Sequence, residues 1–176
     1  MATNRSPSSS TSNRYRTFAE LVDAHQSEVL RYLRRLTGEP SEAEDLFQET
    51  FLRALSGFAR LRGNSNHRAW VYRIATNSFL NHRRRIRRRR EVSWDGNVDA
   101  RAGRVLGHHD ATLTRSAYRR EVGHLPPRQR AAFIQRVVMG LSYAEIATAM
   151  GGTQTAARAN VSQAVRRLKR ELIDLE

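Results

Sequence analysis

The sequence predicts an all-α protein made of two small helical domains joined by a flexible linker. Three observations carry that prediction. Apolar residues recur at steps of three and four along most of the chain, the period of helices that bury one face. No stretch of useful length alternates as a strand would. From Ser93 to about Asp110 the period fails, in a segment, SWDGNVDARAGRVLGHHD, that holds three glycines. The expected boundaries are a disordered tail over 1–14, a first domain over 15–92, a linker over 93–111 and a second domain over 112–176.

The tail, MATNRSPSSSTSNR, is rich in serine and threonine and lacks the apolar stretch of a signal peptide. The first helix follows from Phe18, Leu21, Val22, His25, Val29, Leu33 and Leu36, and Gly38 and Pro40 end it. Ser41 then opens SEAE, with Glu44 at the spacing of a capping box. The second helix is expected to bury Leu46, Phe47, Thr50, Phe51, Ala54, Leu55 and Phe58. After the polar loop around Gly63, a third helix starts near His67 and packs through Trp70, Val71, Ile74, Ala75 and Ser78. No breaker separates it from Arg83–Arg90, where seven of eight residues are arginine, so the run is expected on the same axis.

Beyond the linker, helix resumes near Thr112 with Leu113, Ala117 and Val122. The two prolines of LPPRQR suit a helix start, and Ala132, Phe133, Ile134, Val137 and Val138 carry that helix to Gly140. GLSYAEIATAMGGTQTAARANVSQAVRRLKREL then reads as a helix-turn-helix. Ser142 and Glu145 have capping-box spacing, and Tyr143, Ile146, Ala147 and Met150 form the buried stripe of a short helix. Gly151 and Gly152 supply a turn where positive φ is expected. The last helix buries Ala157, Val161, Ala164, Val165, Leu168 and Leu172; Ala159, Ser162, Gln163, Arg166 and Arg170 face outward, with Arg158 flanking.

The formal net charge is +14, and Lys169 is the only lysine. That balance favours a polyanionic partner, nucleic acid first and an anionic membrane surface second. Arginine suits bidentate contact with phosphate and guanine, although a GC-rich genome would give the same bias. The absence of cysteine excludes disulfides and thiolate metal sites and fits a reducing cytosol. No apolar run approaches the roughly 18 residues of a membrane span. The six histidines lack metal-ligand spacing, and there is no phosphate-binding glycine loop or nucleophile motif. The expectation is a soluble, cytoplasmic protein with no enzymatic activity, catalytic residue, cofactor or metal.

Three surfaces call for partners. On the last helix, Arg158 suits guanine and Gln163 adenine, while Arg166, Arg167 and Lys169 suit phosphates. An ordinary amphipathic hairpin with a solvated front fits the same pattern. On the second helix, Asp45, Gln48, Glu49 and Arg53 form a mainly acidic ridge. It reads as a docking surface for an arginine-bearing partner, or as a solvated face with favourable helix-start charges. On the third helix, Arg73, Asn77 and Arg84 share a stripe with Asn81 at its border, a composition suited to unpaired bases. Trp70 falls on the apolar face and reads as core rather than as a stacking platform.

These segments, in this order, resemble the extracytoplasmic-function (ECF) group of bacterial RNA polymerase sigma factors. The resemblance covers about Phe18 to Arg90 and Leu113 to Leu172. AEDLFQETFLRAL resembles the family's region 2.1–2.2, WVYRIATNSFLNHRRR its region 2.3–2.4, and LPPRQRAAFIQRVVMGLSYAEIATAMG with the last helix its region 4. The resemblance implies a non-enzymatic factor that binds core polymerase at the β′ clamp and β flap and directs promoter recognition and melting. Its implied location is the cytoplasm, on the nucleoid when in holoenzyme. It implies polymerase docking by Asp45, Gln48 and Glu49, with Arg53 beside them. It implies capture of a flipped −10 base by the loop at Asn64 and Ser65. Arg73, Asn77, Asn81 and Arg84 fall on the single-strand and melting face, with Arg83 and Arg85 gripping phosphates beside it. Arg158, Ala159, Ser162 and Gln163 fall on the base-facing side of the −35 helix, with Arg166 and Arg167 on phosphates.

The implied DNA partner is promoter, both duplex and melted single strand. The family often pairs with an anti-sigma factor, and no membrane contact of the chain's own is implied. The sequence departs from the family pattern at Gly152, at TAAR (Thr155 to Arg158), at Asn160 and Ala159, and at Asn81. The preferred −35 and −10 sequences therefore stay open. The alternative is a stand-alone helix-turn-helix regulator that binds duplex DNA without polymerase and leaves the acidic ridge idle. A third reading is a basic protein that binds RNA or a membrane surface.

Overall fold

The computed structural model describes residues 15–61, 66–92 and 111–173. The expected tail, the loop carrying Asn64 and Ser65, and the linker up to residue 110 lie outside the described residues. Among the described residues there are seven α-helices and no strand. They are α1 (Phe18–Thr37), α2 (Pro40–Phe58), α3 (His67–Val92), α4 (Ala111–His124), α5 (Pro127–Phe133), α6 (Tyr143–Met150) and α7 (Gln154–Ile173). A π-helical turn, Ile134–Val138, continues α5.

The first lobe is α1 to α3. Thr17 caps α1 by accepting from the Glu20 backbone N–H at 3.3 Å. Gly38 ends the helix at φ 79°, a conformation that an L side chain resists. The buried face of α1 is Leu21, His25, Val29, Leu33 and Leu36 of the expected stripe plus Tyr32, which the helical period had not placed inside; Phe18 and Val22 are half-buried beside it.

Two expectations fail on α2. No Ser41–Glu44 capping box forms. The helix starts two residues earlier, with Glu39 at the N-cap making no side-chain cap bond and Pro40 at the first helical position. Proline's fixed φ starts the helix without needing a side-chain cap, and Glu44 turns outward to Arg34, 3.3 Å away. Leu55, expected inside, is exposed. Leu46, Thr50, Phe51 and Ala54 already fill the seam against α1 and α3.

Helix α3 runs unbroken through the arginines to Val92. Tyr72 is fully buried, edge-on to Tyr32 at 5.0 Å. Trp70 is half-buried against the core, with its ring 3.1 Å from where a Cβ would stand on Gly57.

In the second lobe the capping box of α6 is present. Ser142 Oγ accepts from the Glu145 N–H, and the Glu145 carboxylate accepts from the Ser142 N–H at 2.8 Å. Of the two turn glycines only Gly151 has positive φ, at 63°. Thr153 caps α7 instead, its hydroxyl accepting from the Ala156 N–H at 3.1 Å.

The two lobes pack together, chiefly α6 on α3, and the seam is polar as well as apolar. The π turn aims Gln135 into the first lobe. There its Nε2, fully buried, donates to the Tyr32 hydroxyl at 2.7 Å and to the Thr76 hydroxyl at 2.9 Å. Arg130 reaches from α5 to the Leu36 carbonyl at the end of α1, 2.8 Å away. Arg68 of α3 bonds Glu28 of α1 at 3.1 Å and donates across the seam to the Met139 carbonyl at 3.1 Å. Asn66 donates to Glu145 at 3.4 Å.

Burial alone would raise the pKa values of Glu28 and Glu145. For Glu28, hydrogen bonds from His25 and Arg68 and the Arg68 charge outweigh burial; for Glu145, the bonds from Ser142 and Asn66 and the Arg68 charge do so. Both carboxyls therefore sit below their ordinary range in the fold. Their contribution is complete above the ordinary carboxyl pKa and is lost as pH falls through the depressed values. Acidification from about pH 5 to pH 3 is expected to lower the melting temperature and expose the seam to hydrogen exchange, and Glu28→Gln should flatten that slope. An unchanged acid slope in the variant would show that the Glu28 network adds nothing.

Candidate nucleic-acid interface

Three faces stay open to solvent, and each is set by a buried opposite face. On α3, Val71, Tyr72, Ala75, Thr76, Ser78 and Phe79 are buried, which leaves Arg73, Asn77 and Arg84 on the exposed stripe with Asn81 at its half-buried border. This is the arrangement expected from the sequence. Arginine and asparagine side by side offer donors to phosphates and amides to base edges.

The neighbouring arginines differ from one another. Arg83 leans to Glu42 of α2 at 4.0 Å, and Arg85 to Glu49 at 3.6 Å. Arg84 makes no ion pair among the described residues and is the free cation of the three. Farther on, Arg87 pairs with Glu91 at 3.3 Å, and Arg88, Arg89 and Arg90 are exposed. His82 also bonds Glu42, so α2 holds the start of the arginine run in place.

On α2 the ridge is less acidic than its sequence. Asp45 and Gln48 are exposed, but Glu49 is held by Arg53 at 2.6 Å and by Arg85. Sequence reasoning missed the apolar members of this face. Leu52 is 66% exposed and Leu55 54% exposed, one heptad after Asp45 and Gln48 respectively. The heptad spacing was the available signal, since i and i+7 share a face.

On α7, Ala157, Val161, Ala164 and Leu168 are buried, while Arg158, Ala159, Ser162, Gln163, Arg166, Arg167 and Arg170 are exposed. Gln163, Arg166, Arg167 and Arg170 line one shallow hollow on this face. Asn160 is not part of the open face; its amide donates back to the Ala156 carbonyl at 2.8 Å. The α6–Gly151–α7 unit thus holds a polar, arginine-bearing helix outward from an apolar back, the geometry of a recognition helix.

Residues 21–90 match the family profile "Sigma-70 region 2", and residues 115–168 match "Sigma-70, region 4". YlaC of Bacillus subtilis, an RNA polymerase sigma factor, is 31% identical over 156 residues, covering 87% of this chain and 90% of the relative.

The chain belongs to the sigma-70 family of RNA polymerase sigma factors. Its curated relatives place it in the ECF group. SigL of Mycobacterium tuberculosis, an ECF RNA polymerase sigma factor, is 31% identical, covering 88% of each chain. SigG of the same species, also an ECF sigma factor, is 33% identical over 84% of this chain, which spans only 46% of that relative's length. Among solved structures, the sigma factor RpoE from Bartonella quintana, in complex with the anti-sigma factor NepR, aligns with TM-score 0.74 at 23% identity. That alignment covers 88% of this chain and 96% of RpoE, so the sigma fold is shared across both lobes. Region 2 is α1 to α3, and region 4 falls within α4 to α7.

Proposed function

We propose that this chain is an ECF-type sigma factor that docks on core RNA polymerase through α2, reads and melts the −10 element with α3, and reads the −35 element with α7. It carries out no covalent chemistry, which is left to the polymerase. The observation that carries the reading is the exposed stripe of Arg73, Asn77 and Arg84 on α3, backed by a fully packed core. A regulator that only gripped duplex DNA through α7 would have no use for it. The test is reconstitution with core polymerase on genomic promoter fragments. Specific start sites that disappear with Arg73→Ala/Asn77→Ala support the reading. Tight, sequence-specific duplex binding by the chain alone, without core binding, would replace it with the stand-alone regulator.

The packed lobes are the form of the protein off the promoter. The −10 and −35 elements are centred roughly 25 base pairs apart, about 85 Å of duplex at ~3.4 Å per step. A compact chain of this length has a radius of gyration of only about 16 Å. Holoenzyme formation therefore parts α6 from α3 and breaks the Gln135, Arg130, Arg68 and Asn66 contacts. Surfaces of both lobes are also candidate sites for an anti-sigma factor, and the working location is the cytoplasm.

Arg87 to Arg90 add sequence-independent attraction as the helix leaves the melting face. Changing all four to glutamine is expected to weaken binding evenly across promoters. It should also flatten the log–log salt slope by about 0.7–0.9 for each phosphate that is no longer neutralised. Filter binding over a salt series measures this. A changed −10 preference would contradict that division of labour.

A further inference from the structure

Two side chains on the open face of α7 are already held by residues outside that helix. The Arg158 guanidinium carbon lies 5.1 Å from the centroid of the Tyr143 ring, at the first position of α6. Gln163 Oε1 accepts a 2.8 Å hydrogen bond from Nε2 of Gln129, on α5. The Tyr143 ring is itself fixed. It packs half-buried on the core and carries Arg136 at 4.7 Å, and Arg136 is tied to the Leu141 carbonyl at 2.9 Å. Arg158 is thus held against a ring that belongs to α6 rather than to its own helix.

This matters because free arginine and glutamine side chains are rich in rotamers, and ordering them on DNA costs affinity for every sequence alike. A guanidinium held flat keeps its planar fork aimed, so a base edge that fits it is favoured over one that does not. The pairing of Gln163 has a sharper consequence. Bidentate recognition of adenine needs both ends of the glutamine amide. The bond from Gln129 takes one of the two lone pairs of Oε1 and fixes the plane of the Gln163 amide, which leaves the NH2 group free to reach an acceptor on a base edge.

We propose that Tyr143 and Gln129 are positioning residues that set −35 discrimination through Arg158 and Gln163. The proposal rests on the reading of α7 as the −35 helix. It adds a constraint on the amide of Gln163, for which the sequence suggested an adenine partner.

The experiment uses holoenzyme reconstituted with the full chain and a promoter library randomised across the −35 element, read by sequencing of transcripts. Tyr143→Leu is expected to reduce discrimination by about two- to five-fold, the weight of one exposed cation–π contact. Tyr143→Phe, which keeps the ring, should restore it. Arg158→Lys keeps the charge but loses the planar stack, leaves α6 untouched, and should mimic Tyr143→Leu. Adding Tyr143→Leu to Arg158→Ala should have no further effect. Gln129→Ala releases the Gln163 amide and should change the base preference at one −35 position. If Arg158→Ala leaves the −35 preference unchanged, α7 is not the reader and both ideas fall. If Arg158→Ala alters the preference while Tyr143→Leu, Arg158→Lys and Gln129→Ala do not, the positioning proposal alone is overturned.

Discussion

With α2 as the proposed docking face, a chain carrying Leu52→Glu and Leu55→Glu is expected to keep its fold and to bind core polymerase far more weakly. Both leucines are more than half exposed, while the rest of α2's apolar residues pack inward. Leucine and glutamate have similar helix propensities, and exposed substitutions away from special features usually move stability by less than about 0.5 kcal/mol. The melting curve should therefore hardly change. Binding should fall, because each glutamate would put a charge where the docked leucine is removed from water, and an unpaired charge there is costly to desolvate. Asp45→Lys should do less at equilibrium and more to the association rate and its salt dependence, as rim charges do. Glu49→Gln should act differently again, since it also frees Arg53 and Arg85. Fluorescence anisotropy with purified core polymerase separates these outcomes. Double-variant binding within twofold of the parent would remove α2 as the docking face.

The helices and their open faces were largely legible in the sequence because each is an amphipathic pattern. The period that buries Val71, Ala75 and Ser78 necessarily turns Arg73 and Asn77 outward. The α6 capping box was equally readable, since Ser142 and Glu145 satisfy each other locally. SEAE has the same spacing, yet Pro40 preceded it and took the helix start. Local rules compete, and the backbone-fixed residue won. Leu52 and Leu55 were harder, because hydrophobicity alone says nothing about which neighbour buries a side chain. The seam between the lobes was not legible at all. Gln135 and Arg130 carry no local sequence signal, and their partners Tyr32 and Leu36 stand 103 and 94 residues away. Nothing local marks such a pairing. The holds on Arg158 and Gln163 are hidden for the same reason, since they come from α6 and α5.

Arg130→Met is expected to be the most destabilising single change in the seam. The residue is 5% exposed, and its guanidinium serves three carbonyls: Leu36 at 2.8 Å, Leu125 at 3.3 Å and Gly123. Leu36 lies in the last turn of α1, where carbonyls lack helical partners and carry the negative end of the helix dipole. A cation there does what the helix cannot do for itself. Burial, aided by the charge of Arg83 and opposed by that of Glu42, pulls the Arg130 pKa down to about 10, so it stays charged at neutral pH. Keeping that charge inside has a desolvation cost, and methionine would remove the cost while keeping most of the volume. What methionine cannot do is satisfy the carbonyls, and stranding a buried one costs about 1–3 kcal/mol. The balance is a loss of about 3 kcal/mol, or roughly 6–12 °C in melting temperature for a chain of this size. Arg130→Lys should fall between, since an ammonium carries the charge without the planar fork. Hydrogen exchange tells where the loss lands. If Arg130 ties the lobes together, amides at the end of α1 and the start of α5 should lose protection in step. A loss confined to the second lobe would assign Arg130 to the α4–α5 turn alone, and a change under about 1 kcal/mol would mean that water takes over the three carbonyls at little cost.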